Sequence, residues 1–179
     1  LTVLPQILDA LEVRDAILIG HSDGASIALI HAGSGCGERV RGLILEAPHV
    51  FTEGITISSV NEAARRYRSG DLKVRLERYH GKNVDCAFWC WNQVWFNPEF
   101  RSWNIESYLP QIRVPVLVIQ GEDDEYGTLR QVEAVKKGCS GSVRSVILSD
   151  CGHSPHRDQP LDTTQAITSF VREEILSLR

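Results

Sequence analysis

Apolar residues recur along the chain with two alternating periods. Leu4, Ile7, Leu8 and Leu11 return every three to four residues and predict a first helix, which Thr2 is placed to cap. Ala16-Ile17-Leu18-Ile19 is a short unbroken apolar run, the pattern of a buried parallel strand, and Gly20 ends it. Small and apolar residues from about Asp23 to His31 predict a second helix, broken by Gly33-Ser34-Gly35. Gly42-Leu43-Ile44-Leu45-Glu46 then reads as a second strand, closed by Pro48. Val114 to Gln120 is strongly β-branched and predicts a third strand, followed by a helix over Thr128 to Lys137 that Gly138 stops. Val143 to Leu148 predicts a fourth strand. A last helix, capped by Asp162, has Ala166, Ile167, Phe170, Val171 and Leu176 on its buried face. Strands alternating with helices predict an α/β fold, a parallel sheet of about four strands flanked by helices.

About sixty residues separate the second and third strands, too many for a simple connection, so residues 51–112 are expected to form a helical cap on a core made of 1–50 and 113–179. Seven of the thirteen aromatic residues fall between Phe88 and Trp103, and aromatics at helical spacing mostly pack against one another. Trp89, Trp91, Trp95 and Trp103 are nevertheless candidate substrate-binding residues, because pockets are lined by apolar and aromatic groups. A cap of this kind closing over a reactive group would favour a small substrate. Arg65, Arg66, Arg68, Lys73, Arg75, Arg78 and Lys82 make its first half basic, which predicts a solvated helix face or an anchor for a substrate carboxylate.

The 179 residues fit one ordinary domain, and 42% hydrophobic content is enough for a core. A net charge of -4 offers no broad basic surface, so nucleic acid is not an expected partner. No apolar run approaches a membrane span and no signal sequence is visible, so neither a membrane nor a targeting role is expected. Cys36, Cys86, Cys90, Cys139 and Cys151 are odd in number and scattered, which suits a reducing cytoplasm. His80 with Cys86 and Cys90, or His153 with His156, do not supply three or four ligands at metal-binding spacing, so neither a metal nor a cofactor is expected.

The chemistry is concentrated in Gly20-His21-Ser22-Asp23-Gly24, a Gly-x-Ser-x-Gly sequence lying directly after a predicted strand and before a predicted helix. A sharp turn there exposes Ser22 above the sheet, with glycines on either side expected to be needed because a Cβ would collide. The N–H of Asp23, at the helix N-terminus, is a candidate oxyanion donor, while the Asp23 side chain is read as a favourable charge on the first turn. His21 precedes the serine and is expected to pack or hydrogen-bond rather than act as a base. A serine hydroxyl needs a base and a group that orients it. Gly121-Glu122-Asp123-Asp124 after the third strand and Gly152-His153 after the fourth put a carboxylate and an imidazole at the same sheet edge, where such folds bind ligands.

These motifs resemble the serine branch of the α/β-hydrolase superfamily over nearly the whole chain. The family's Gly-x-x-Asp and Gly-His patterns imply a triad of Ser22, Asp124 and His153, ahead of Asp123 and of Glu46 at the end of the second strand. Gly152-His153-Ser154-Pro155-His156-Arg157-Asp158-Gln159-Pro160 is similar to a family region that more often carries Glu where Asp158 stands. Family members have about four strands before the nucleophile strand, which the fifteen residues before Ala16 cannot hold. The chain is therefore expected to be a fragment. Its second oxyanion donor would lie outside this sequence, and its nucleophile strand would be a sheet edge covered by that segment or by another copy.

The serine excludes the epoxide hydrolase and haloalkane dehalogenase branches, which attack with a carboxylate. What the resemblance implies is hydrolysis of a small, largely apolar or aromatic ester-like substrate through an acyl-enzyme. Carbon–carbon hydrolysis of a keto-acid and a non-catalytic binding role on the same fold are the alternatives.

Overall fold

The computed structural model describes residues 2–177. Among them are four strands, β1 (Ala16–His21), β2 (Val40–Glu46), β3 (Val116–Gly121) and β4 (Val143–Leu148), in one sheet of order β1-β2-β3-β4. All three pairings are parallel. Helices α1 (Val3–Ala10), α2 (Asp23–Gly33), α6 (Leu129–Gly138), α7 (Pro155–Asp158) and α8 (Pro160–Phe170) are interleaved with them. Helices α3 (Gly54–Ser69), α4 (Leu72–His80) and α5 (Val84–Phe96) fill the long insertion. By contacts the chain divides into Leu1–Phe51 with Asn104–Arg179 as one unit, and Thr52–Trp103 as the other. Residues 104–112, which the sequence set with the insertion, belong to the sheet unit: Ile105 N–H donates to the Val50 carbonyl, and Leu109 and Ile112 are buried.

In the sheet unit, Leu43, Ile44, Leu45, Leu117, Val118 and Ile119 are fully buried, as expected of central parallel strands covered on both faces. Ile44, Leu117, Ile119, Leu148, Cys151, Phe170 and Ile175 form one apolar cluster. Strand β3 starts at Val116 rather than Val114, because Pro115 has no N–H to give the ladder and only its carbonyl pairs, accepting from Leu43. Helix α8 starts at Pro160, a residue tolerated in a first turn, so Asp162 lies inside the helix and does not cap it. Val171–Leu176 continues as a π-helical segment. The wider turn rotates Ile175 inward and leaves Leu176, expected on the buried face, about half exposed. In α1 only Leu8 is buried, and Thr2 makes no side-chain cap. Strand β1 pairs with β2 alone among the described residues, and its Ile19 is 60% exposed.

In the other unit, Ala63, Tyr67, Val84 and Phe88 make a small core, with the Tyr67 and Phe88 rings stacked at 3.8 Å. Buried Asn92 donates to the Val60 carbonyl and ties α5 to α3. The basic residues are largely matched within this unit: Arg65 with Glu62, Arg66 and Arg75 with Asp71, and Lys73 with Asp85. Arg68 lies over the Trp89 ring. Exposed pairs of this kind describe a solvated face. No described helix is long and apolar enough to cross a membrane.

Candidate active site

Ser22 caps α2 with φ 55° and ψ -121°, a conformation that non-glycine residues rarely hold, and it sits between the end of β1 and the first residue of the helix. Its N–H donates to the Glu46 carbonyl at 2.9 Å, and its own carbonyl accepts from Ala25 and Ser26. The turn is closed tightly on one side only. A Cβ on Gly20 would lie 2.4 Å from the Gly24 carbonyl oxygen, whereas a Cβ on Gly24 would meet nothing within 4 Å. The expected need for glycine therefore applies to Gly20 and not, on steric grounds, to Gly24. Gly20→Ala is accordingly expected to abolish soluble folded protein or lower the denaturation midpoint sharply, while Gly24→Ala leaves it near the original value. Urea titrations of the two variants give that comparison, and equal damage would contradict it.

The three triad candidates converge. His153 Nε2 is 2.9 Å from Ser22 Oγ, and His153 Nδ1 is 2.9 Å from both carboxylate oxygens of Asp124. The Asp124 side chain is almost fully buried and the imidazole is 13% exposed. Asp123, the rival acid, is exposed. Glu46, the other rival, is turned to a different imidazole: its Oε2 accepts from His156 Nδ1 at 2.8 Å. The Gly121 backbone makes the close approach of the acid and base loops possible, since a Cβ there would lie 2.2 Å from the carbonyl oxygens of Cys151 and Gly152.

Asp124 is held by more than the histidine. Gln120 Nε2 donates to its Oδ2 at 2.6 Å, and the N–H groups of Tyr126 and Gly127 donate to its Oδ1. Burial alone would raise the Asp124 pKa. The His153 hydrogen bond and charge, with the two backbone donors, hold it below the ordinary carboxyl range. Sequence reasoning missed Gln120, although the signal was present: a fully buried amide closing an otherwise apolar strand must have a polar partner. The rings of Tyr126, His21 and His49 stand 4.7, 5.0 and 5.5 Å from the His153 ring. Asp23 is the first residue of α2, so its N–H stands at the helix N-terminus directly after Ser22.

Asp158, which departs from the family residue, accepts the Gly152 N–H at 3.0 Å and so braces the loop beside His153. The four tryptophans all have aromatic neighbours inside their own unit. Trp89 and Trp91 pack beside Phe88, and Trp95 contacts Phe100 and Trp103.

Acid affects this arrangement in a definite order. Burial lowers the His21 pKa from 6.5, and it also lowers that of His31, whose two ring nitrogens are buried and make no hydrogen bond among the described residues. A depressed histidine stabilises the fold fully above the ordinary pKa, and that stability is lost as pH falls through 6.5 toward the folded value. Asp124 contributes fully above the ordinary carboxyl pKa of about 3.9 and loses its contribution lower still. Thermal midpoints are expected to decline first below about pH 6.5, less so in His31→Leu, and again in the carboxyl range. A flat profile through the histidine range would contradict these assignments.

A profile of the alpha/beta hydrolase family matches residues 2–166. Solved structures with the same fold include VinJ, 20% identical, with a TM-score of 0.69 over 96% of this chain and 71% of that one. The esterase RhEst1 from Rhodococcus sp. ECU1013 is 18% identical, with a TM-score of 0.68 over 94% of this chain and 69% of its own. Est816, described as an N-acyl homoserine lactone degrading enzyme, is 22% identical, with a TM-score of 0.62 over 92% and 70%. No curated protein matches the chain.

Proposed function

The chain belongs to the alpha/beta hydrolase family, and on that premise we propose that it is a serine hydrolase in which Ser22, His153 and Asp124 cleave a small, largely apolar or aromatic ester-like substrate. The observation that carries the reading is the unbroken hydrogen-bonded line from Ser22 Oγ through the imidazole to the buried Asp124 carboxylate. Ser22 Oγ attacks the acyl carbon as its proton passes to His153 Nε2. The Asp124 charge stabilises the imidazolium and keeps Nδ1 protonated. Negative charge on the carbonyl oxygen is met by the Asp23 N–H. Collapse of the tetrahedral species expels the alcohol, which takes the proton from Nε2 and leaves an acyl-serine. Water then attacks this ester, gives its proton to Nε2, and the acid departs as Ser22 recovers its proton.

The preference for a small acyl group rests on the aromatic sequence between Phe88 and Trp103. Nitrophenyl acetate and butyrate are expected to turn over faster than nitrophenyl palmitate, with nitrophenol release as the measurement. A preference for the long chain would overturn the substrate class, and failure to hydrolyse any ester would overturn the esterase reading.

A further inference from the structure

The main chain of His153 is gripped from both sides by the sequence neighbours of the other two triad candidates. Its carbonyl accepts the Nε2–H of His21, the residue before Ser22, at 2.6 Å. Its N–H donates to Oε2 of Glu125, the residue after Asp124, at 3.2 Å. A third tie lies three residues on, where both the N–H and the Nδ1 of His156 reach Glu46 Oε2, at 3.2 and 2.8 Å. Glu46 is itself bound to the nucleophile turn, because its carbonyl receives the Ser22 N–H. The loop bearing the base is thus anchored to the nucleophile turn twice and to the acid loop twice, by Glu125 and by the Asp123 N–H that donates to the Cys151 carbonyl, over and above the triad's own hydrogen bonds.

A serine-to-imidazole proton transfer depends on sub-ångström placement, and about 1 Å of displacement costs about a hundredfold in rate. Side chains alone do not secure that placement, since an imidazole on a free loop swings about its backbone. We propose that His21, Glu125 and Glu46 are positioning residues that fix the backbone of His153, so that its ring meets Ser22 and Asp124 together. This proposal rests on the serine-hydrolase reading. The role of His21 is to donate one hydrogen bond, which the neutral ring does without sharing in proton transfer. Its bond is short and half-buried, whereas Glu125 is exposed, so His21 is the stronger tie.

The test is kinetics per active site, with intact sites counted by a fluorophosphonate that labels the serine. His21→Ala is expected to lower kcat about ten- to a hundredfold with KM little changed, and Glu125→Ala to lower it less. His21→Gln keeps an amide donor the same number of bonds from Cβ, and Glu125→Gln keeps an acceptor, so both are expected to recover most of the loss. A residue with a merely structural role would lower the number of active sites or the denaturation midpoint, not kcat per site. Unchanged kcat in His21→Ala and Glu125→Ala overturns the proposal and leaves the hydrolase reading standing. If the unsubstituted protein shows no serine-dependent turnover, that reading fails instead, and the clamp is judged by proton NMR. The low-field Nδ1–H signal of His153 is then expected to shift and broaden in folded His21→Ala and to return in His21→Gln, and a signal that does not move overturns the clamp.

Discussion

Ser22→Ala is expected to lower ester turnover about 10⁶-fold while leaving the thermal transition close to its original position. The size follows from the shared task of the triad, since without an oxygen to attack the imidazole has nothing to deprotonate. Stability should hold because the hydroxyl's hydrogen-bond partner is the part-buried His153 Nε2, and the Ser22 backbone bond to Glu46 does not involve the side chain. Alanine inherits the same positive φ, so no strain is relieved or added by a change of backbone class. Nitrophenol release and circular dichroism on one preparation decide the matter. Turnover that survives in Ser22→Ala removes Ser22 as the nucleophile.

Asp124→Asn is expected to lower kcat about 10³- to 10⁴-fold, whereas Asp123→Asn leaves it nearly unchanged. The asparagine still fits, but its uncharged amide offers the imidazolium no counter-charge and can present N–H to Nδ1, which favours the tautomer unable to accept the serine proton. Three neighbouring donors make the change sharper. Gln120 Nε2 and the Tyr126 and Gly127 N–H groups are arranged for a carboxylate's oxygens, so the amide leaves at least one of these donors opposed. Asp123 is exposed, and it is its N–H that meets the base loop, donating to the Cys151 carbonyl. Equal losses in the two variants would show that the wrong carboxylate has been assigned.

What could be read from the chain was what depends on local pattern. The strand–Gly-x-Ser-x-Gly–helix order located Ser22 because the turn is built from adjacent residues. Parallel strands deliver their following loops to one edge, which set the carboxylates after β3 and His153 after β4 beside Ser22, while the choice of Asp124 over Asp123 came from the family resemblance. Element limits moved where neighbours intervene: Pro115 cannot donate to the ladder, and the π-helical segment after Phe170 changes which residue faces inward. The hydrogen bonds that hold the base loop were not legible, since His21 and His153 are 132 positions apart and Glu46 and His156 are 110 apart. No motif contains both members of either pair. Gly24 shows the converse, a motif residue whose expected steric reason is absent here.

The strands stand side by side in the order in which the chain supplies them. A ribosome making this protein releases Ser22 first and His153 131 residues later, an interval of about 7 to 26 s at about 5–20 residues per second. Each strand after β1 finds the strand it pairs with already made. On the proposed reading the serine has no base through that interval, and the unfinished polypeptide is chemically silent. On the same reading, arrival of the loop after β4 arms the serine, and only α8 and the segment that buries Phe170 and Ile175 remain to close the apolar cluster.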